Sequence, residues 1–133
     1  TEQPALAAVV TAAHAAGVAV VEDLGSGNVD AGSPWEPTVQ ASIAAGVDLV
    51  AVSGDKMLGG PQAGIILGRK GLVDRLRAHP LMRALRVDKL TYAALEGTLL
   101  EHRAGRGCDT VPVLRMLHAP KAAVTARAEA LAE

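Results

Sequence analysis

Runs of four or five consecutive apolar residues alternate along this chain with longer alanine- and leucine-rich stretches. Residues 4–16 predict a helix, with Pro4 suited to its first turn and Gly17 to its stop. Residues 18–21 (Val-Ala-Val-Val) predict a buried strand ending in Glu22 and Asp23. A loop rich in Gly and Pro follows over 25–37, where Trp35 is read as an anchor. Residues 38–45 predict a second helix stopped by Gly46, and 48–52 a strand running into a glycine-rich loop at 54–60. A third strand at 63–67 is expected to pair with it. Helices are predicted over 70–79 and over 87–103, the latter entered at Asp88. Residues 111–117 are apolar and fit a strand or an extended connector, and Pro120 opens a final helix.

Strands whose apolar positions are continuous rather than alternating are covered on both faces. The predicted fold is therefore α/β, a mostly parallel sheet flanked by helices. Residues 1–110 read as one large domain, and 111–133 as a connector and the start of a smaller one.

Two polar positions interrupt this apolar plan at strand ends. Lys56 follows the run Leu49-Val-Ala-Val-Ser-Gly-Asp55 and precedes a glycine-rich reversal. A lysine held in a partly desolvated place becomes a nucleophile, whereas one that snorkels to water does nothing chemical. Both readings stay open on this run alone. Asp23 ends the preceding strand, and Asp-Leu-Gly-Ser-Gly is also a good turn. Together the two residues meet the needs of a pyridoxal phosphate site: an amine to hold the aldehyde, and a carboxylate to keep the ring nitrogen protonated. In open α/β sheets such groups project from the carboxyl ends of neighbouring strands.

Charge sharpens the picture locally. Residues 1–68 hold one basic residue against seven acidic ones, while 69–106 hold nine basic against four acidic. Within the basic block Arg83 and Arg86 lie one helical turn apart, able to clamp a phosphate-like anion; a solvated helix face is the plainer reading, and it suffices for Arg75 and Arg77. The net charge of −1 gives no sign of non-specific nucleic-acid binding. The single cysteine, Cys108, excludes an internal disulfide and reads as a bystander. His14, His79, His102 and His118 lack ligand spacing, so no metal is expected. No apolar run reaches the roughly 18 residues of a membrane span, so a cytoplasmic protein is expected.

The segment Ser53-Gly-Asp-Lys-Met-Leu-Gly-Gly-Pro-Gln-Ala-Gly-Ile-Ile66 resembles the cofactor-lysine segment of the bacterial selenocysteine synthase (L-seryl-tRNA(Sec) selenium transferase) family. Glu22-Asp-Leu-Gly-Ser-Gly27, Glu36-Pro-Thr-Val-Gln40 and His79-Pro-Leu-Met-Arg-Ala-Leu-Arg-Val-Asp-Lys-Leu-Thr91 resemble the same family in order and spacing. The resemblance covers nearly the whole chain, and it implies part of the large domain of a fold-type-I pyridoxal phosphate-dependent transferase. Lys56 would carry the cofactor, Asp23 would pair with its ring nitrogen, and Ser53 would donate a hydrogen bond to its phosphate. Asp55 would assist proton transfer. Gly59, Gly60 and Gly64 would let the backbone turn tightly around the group, and Arg83 and Arg86 would contact the anionic substrate. The implied reaction converts seryl-tRNA(Sec) to selenocysteinyl-tRNA(Sec) with selenophosphate, through a dehydroalanyl intermediate, in a homo-oligomer built of dimers with shared sites.

The chain opens and closes inside helical patterns without an initiating methionine, so it is expected to be an internal piece of a longer enzyme. No interleaving of aromatic and basic residues supports tRNA recognition directly. Two alternatives remain at this level: a related pyridoxal phosphate lyase acting on a small amino acid, and a piece that is inactive by itself.

Overall fold

The computed structural model describes residues 4–30, 34 and 36–132; Trp35, Gly32 and the chain ends lie outside that set. The elements are α1 (Leu6–Ala15), β1 (Val21–Gly25), α2 (Val39–Ala44), β2 (Leu49–Ser53), β3 (Gly64–Gly68), α3 (Lys70–Ala78), α4 (Met82–Leu85), α5 (Lys89–Arg103), α6 (Gly107–Thr110), α7 (Pro112–Leu117) and α8 (Lys121–Ala132). The strands form one sheet in the order β1-β2-β3. β1 and β2 run parallel, as a helical crossover requires. β3 returns antiparallel to β2 through the glycine-rich loop, with Ser53 opposite Gly64 and Leu49 opposite Gly68. The three-stranded sheet is thus mixed, half its pairing parallel.

Burial follows only the apolar run of β2. Contrary to the expectation of strands covered on both faces, Val18 and Val21 of the first run and Ile66 and Leu67 of β3 are exposed, because no described element packs over them. Val10 of α1 packs with Val47, Val50 and Val52, and Leu6, Val20, Leu24, Val39 and Ile65 close around them. Val50, in the middle strand, is fully buried. Two helix entries are set by side-chain caps. Thr38 caps α2 by accepting a hydrogen bond from Ala41 N–H at 3.1 Å. Asp88 caps α5 from Leu90 N–H at 2.7 Å and Thr91 N–H at 3.0 Å, and these bonds hold its carboxyl below the usual carboxylate range.

Three local expectations shift. The first strand begins at Val21 rather than residue 18. The Val20 N–H donates to the Asp48 carboxylate at 2.7 Å, and its carbonyl accepts from Asp48 N–H at 2.9 Å, so this stretch is pinned before the ladder starts. Residues 112–117 form helix α7, neither strand nor connector. Pro112 sits at the first turn, where its missing N–H costs nothing, and Val111 and Leu114, three apart, are the buried pair. The turn of helix proposed to align Arg83 with Arg86 ends at Leu85; Arg86 caps α4 in extended geometry.

Candidate active site

Asp23 lies mid-way along β1 rather than at its end, and Lys56 in the turn after β2; both approach Gly25, the last residue of β1. The register runs Val21 to Leu49, Glu22 to Val50 and Asp23 to Ala51, then skips Leu24 and pairs Gly25 with Val52. That extra residue is a bulge, which bends the strand end and re-aims its side chains. Gly25 follows it with φ +70°, a left-handed conformation that favours glycine. A Cβ built on Gly25 would stand 3.7 Å from Lys56 Nζ and 3.9 Å from Asp23 Oδ1. The amine and the carboxylate therefore flank one point above bare backbone. Both residues are exposed, and among the described residues neither forms an ion pair.

The loop that carries Lys56 is closed by its own backbone. Gly54 N–H donates to Ala63 O and Gly60 N–H to Gly54 O, both at 2.8 Å, and Gly59 N–H donates to Lys56 O at 3.0 Å. Met57 N–H reaches across to Ser26 O at 2.9 Å, joining this loop to the one after β1. Gly59 has φ +74°, and a side chain there would overlap Val111 of the α6–α7 region. The three glycines expected to shape the turn therefore differ. Gly59 is required, Gly60 would bring a Cβ to 3.2 Å from Thr98 Oγ1, and Gly64 lies in β3 with open space beside it. Ser53 is half-buried at the end of β2, and Asp55 is exposed beside Lys56 in the turn.

One contact to this loop had no local signature. His102 Nε2 on α5 donates to the Leu58 carbonyl at 2.8 Å, 44 residues away, and so ties the longest helix to the buried Leu58 just past the lysine.

Arg83 and Arg86 do converge, although not on one helix face. With Arg77, His79 and Tyr92 they line an open cleft of about 700 Å³. Among the described residues none of these three guanidiniums is paired with a carboxylate. Lys56 and Asp23 do not line that cleft, so the cationic cleft and the lysine are separate places on one chain.

At the opposite end of β2, Asp48 is buried and fully engaged. Its carboxylate accepts from Val20 N–H at 2.7 Å and His14 Nε2 at 2.9 Å, and pairs with Arg69 Nη1 at 2.7 Å. The Val20 hydrogen bond first, then the one from His14, lower its pKa below the ordinary 3.8; burial opposes them and the Arg69 charge adds to them.

The mixed α/β fold, with its amine and carboxylate approaching Gly25 at the end of β1, is consistent with part of the large domain of a fold-type-I pyridoxal phosphate enzyme. A solved structure described as D-glucosaminate-6-phosphate ammonia-lyase shares this fold. It has a TM-score of 0.64 at 23% identity, over 84% of this chain and 28% of its own. The family model for L-seryl-tRNA selenium transferase matches residues 1–133, and the chain belongs to that family. A relative named L-seryl-tRNA(Sec) selenium transferase from Carboxydothermus hydrogenoformans is 47% identical over 98% of this chain and 29% of its own length. One of the same name from Geobacter sulfurreducens is 57% identical over 77% of this chain and 23% of its own. The chain thus spans less than a third of the length of these relatives. Among the described residues no helix is long and apolar enough to cross a membrane.

Proposed function

We propose that the protein bearing this chain converts seryl-tRNA(Sec) to selenocysteinyl-tRNA(Sec) with selenophosphate as selenium donor, using pyridoxal phosphate held at Lys56. The observation that carries this reading is the placement of Lys56 Nζ and Asp23 Oδ1 at 3.7 and 3.9 Å from one point over Gly25. An amine, a carboxylate and a glycine cradle that a Cβ would fill fit the cofactor's aldehyde, ring nitrogen and flat ring. When bound, pyridoxal phosphate supplies an electron sink that acidifies the α-carbon of an amino acid and lets its β-substituent leave.

The chain's own residues do the rest. Lys56 would hold the cofactor, and its amine would carry a proton to or from the α-carbon of the substrate. Asp23 accepts a hydrogen bond from the ring nitrogen and keeps it protonated. Asp55 assists that proton transfer from the next position in the turn, and the Ser53 hydroxyl donates to the cofactor phosphate. Arg83 and Arg86 bind the anionic selenium donor through paired guanidiniums. Because their cleft is separate from Lys56, the complete site is shared between copies in a homo-oligomer of dimers. Tyr92 in that cleft and the exposed Leu81 and Leu85, beside Arg83 and Arg86 in sequence, support such a contact. The reaction belongs to the cytoplasm, where aminoacyl-tRNA is made.

Borohydride reduction of the full-length protein with pyridoxal phosphate, followed by peptide mapping, tests the cofactor assignment. A phosphopyridoxyl mark on Lys56 is expected. An unmarked Lys56 in folded protein overturns it. Incubation with labelled seryl-tRNA(Sec) and selenophosphate tests the substrate. Release of ammonia from a free amino acid, without selenium transfer to tRNA, would replace the substrate reading and leave the cofactor site intact.

A further inference from the structure

Three residues unused by the reaction meet on the far side of the loop that follows β1. Asp30 belongs to that loop, Cys108 to α6, and His118 is the C-cap of α7. Their ligand atoms all lie within 4.8 Å of one another, and His118 Nε2 is 2.9 Å from Asp30 Oδ2.

Each is held in place from behind. Asp30 N–H donates to Asn28 Oδ1 at 3.0 Å, and Asn28 is fully buried with its amide bonded to Glu36 O at 2.9 Å. Helix α6 is anchored by Arg106, which forks onto both oxygens of Glu101 at 2.6 and 3.0 Å. Leu114, buried at 2% exposure, fixes α7 and with it His118. The Asp30 side chain is 17% exposed and that of His118 41%, so the group is open to solvent on one side.

We propose that Asp30, Cys108 and His118 form a divalent metal site, with zinc the ion that suits it. The donor set is one thiolate sulfur, one imidazole nitrogen and one carboxylate oxygen. Hard cations such as Mg²⁺ and Ca²⁺ take shells of oxygens, whereas zinc accepts this mixture in tetrahedral geometry and fills a fourth position with water. Zinc–ligand bonds of about 2.0–2.3 Å put ligand atoms roughly 3.3–3.7 Å apart, so closing the triad takes shifts of about an ångström. On binding, Cys108 loses its proton to solvent, and the imidazole presents a lone pair from Nε2 in place of its hydrogen bond to Asp30. The ion would cross-link the β1 loop to α6–α7. Through Ser26 and Met57 that same loop touches the Lys56 turn.

The test strips the full-length protein with a chelator, dialyses it against buffered micromolar zinc, and counts metal per chain for wild type, Cys108→Ser and His118→Ala. Wild type is expected to retain one zinc that both variants lose, with affinity lower by at least about a hundredfold. Equal zinc in all three, or none in wild type, overturns the site. Cobalt added to wild type supplies a check that needs no variant. Intense visible bands of tetrahedral thiolate-bound cobalt are expected, and weak octahedral bands alone would refute the geometry.

Discussion

The two ends of β2 each carry charge, and they treat it in opposite ways. At the amino end Asp48 is 1% exposed and takes a hydrogen bond from Val20, just before β1, another from His14 of α1 and an ion pair from Arg69, just before α3. At the carboxyl end Lys56 and Asp23 are exposed and, among the described residues, in no ion pair. A carboxylate removed from water is tolerated only when its lone pairs are filled, and filling them joins the elements that fill them. Lys56 and Asp23 are instead left accessible beside the register shift at Leu24 and the bare backbone of Gly25. One end of the strand is closed by its own contacts, and the other is left open where the proposed cofactor would sit.

Substitutions break this contrast in order of effect. Lys56→Ala is expected to lower selenium transfer by about a thousandfold or more. Because the side chain is exposed and, among the described residues, in no ion pair, Tm should stay near that of wild type, which a thermal melt alongside the assay would check. Gly25→Ala places a methyl between the amine and the carboxylate and forces a left-handed alanine. Cofactor retention should fall sharply while the backbone alone costs about 1 kcal/mol, read from absorbance and denaturant midpoint.

Asp48→Asn reverses the pattern: several degrees of Tm lost at neutral pH, with cofactor still trapped at Lys56. Its pH dependence carries a definite sign. The folded pKa of Asp48 is depressed below 3.8, so its contribution is present above that value and fades as pH falls through the folded pKa. The gap between wild type and Asp48→Asn should narrow in acid melts. A gap that widened there would mean the carboxylate is not held ionised. Arg83→Ala and Arg86→Ala are the mildest changes. Each should raise KM for selenophosphate by about tenfold, with KM for seryl-tRNA unchanged. Equal effects on both substrates would place the arginines elsewhere in the reaction.

Much of the fold was legible because its signals are local. Gly17 and Gly46 stop helices, Asp88 starts one, and the apolar run of β2 is buried as a strand, whereas Val18 and Val21 of the run leading into β1 stay exposed. Errors came where a neighbour outranked the local pattern. Val18 and Val20 looked like strand, yet the Asp48 side chain captures Val20 before the ladder begins. The run 111–117 looked extended, yet Pro112 starts a helix that buries Val111 and Leu114. Arg83 and Arg86 share a cleft because the chain turns at Arg86, not because a helix continues through it.

The sequence by itself determined the order of the three strands and the longer helices, though not the short helices α4, α6 and α7, together with the lysine and its glycine-rich turn, and the family. All of these reside in residues within a few positions of one another, where backbone sterics and apolar periodicity act. Only the tertiary structure decided that Asp23 meets Lys56 over Gly25, that His102 grips Leu58, and that Asp30, Cys108 and His118 converge. Those meetings depend on sheet register, on one bulge and on how loops close. Such geometry is set by packing between distant segments, and no short stretch of sequence encodes it.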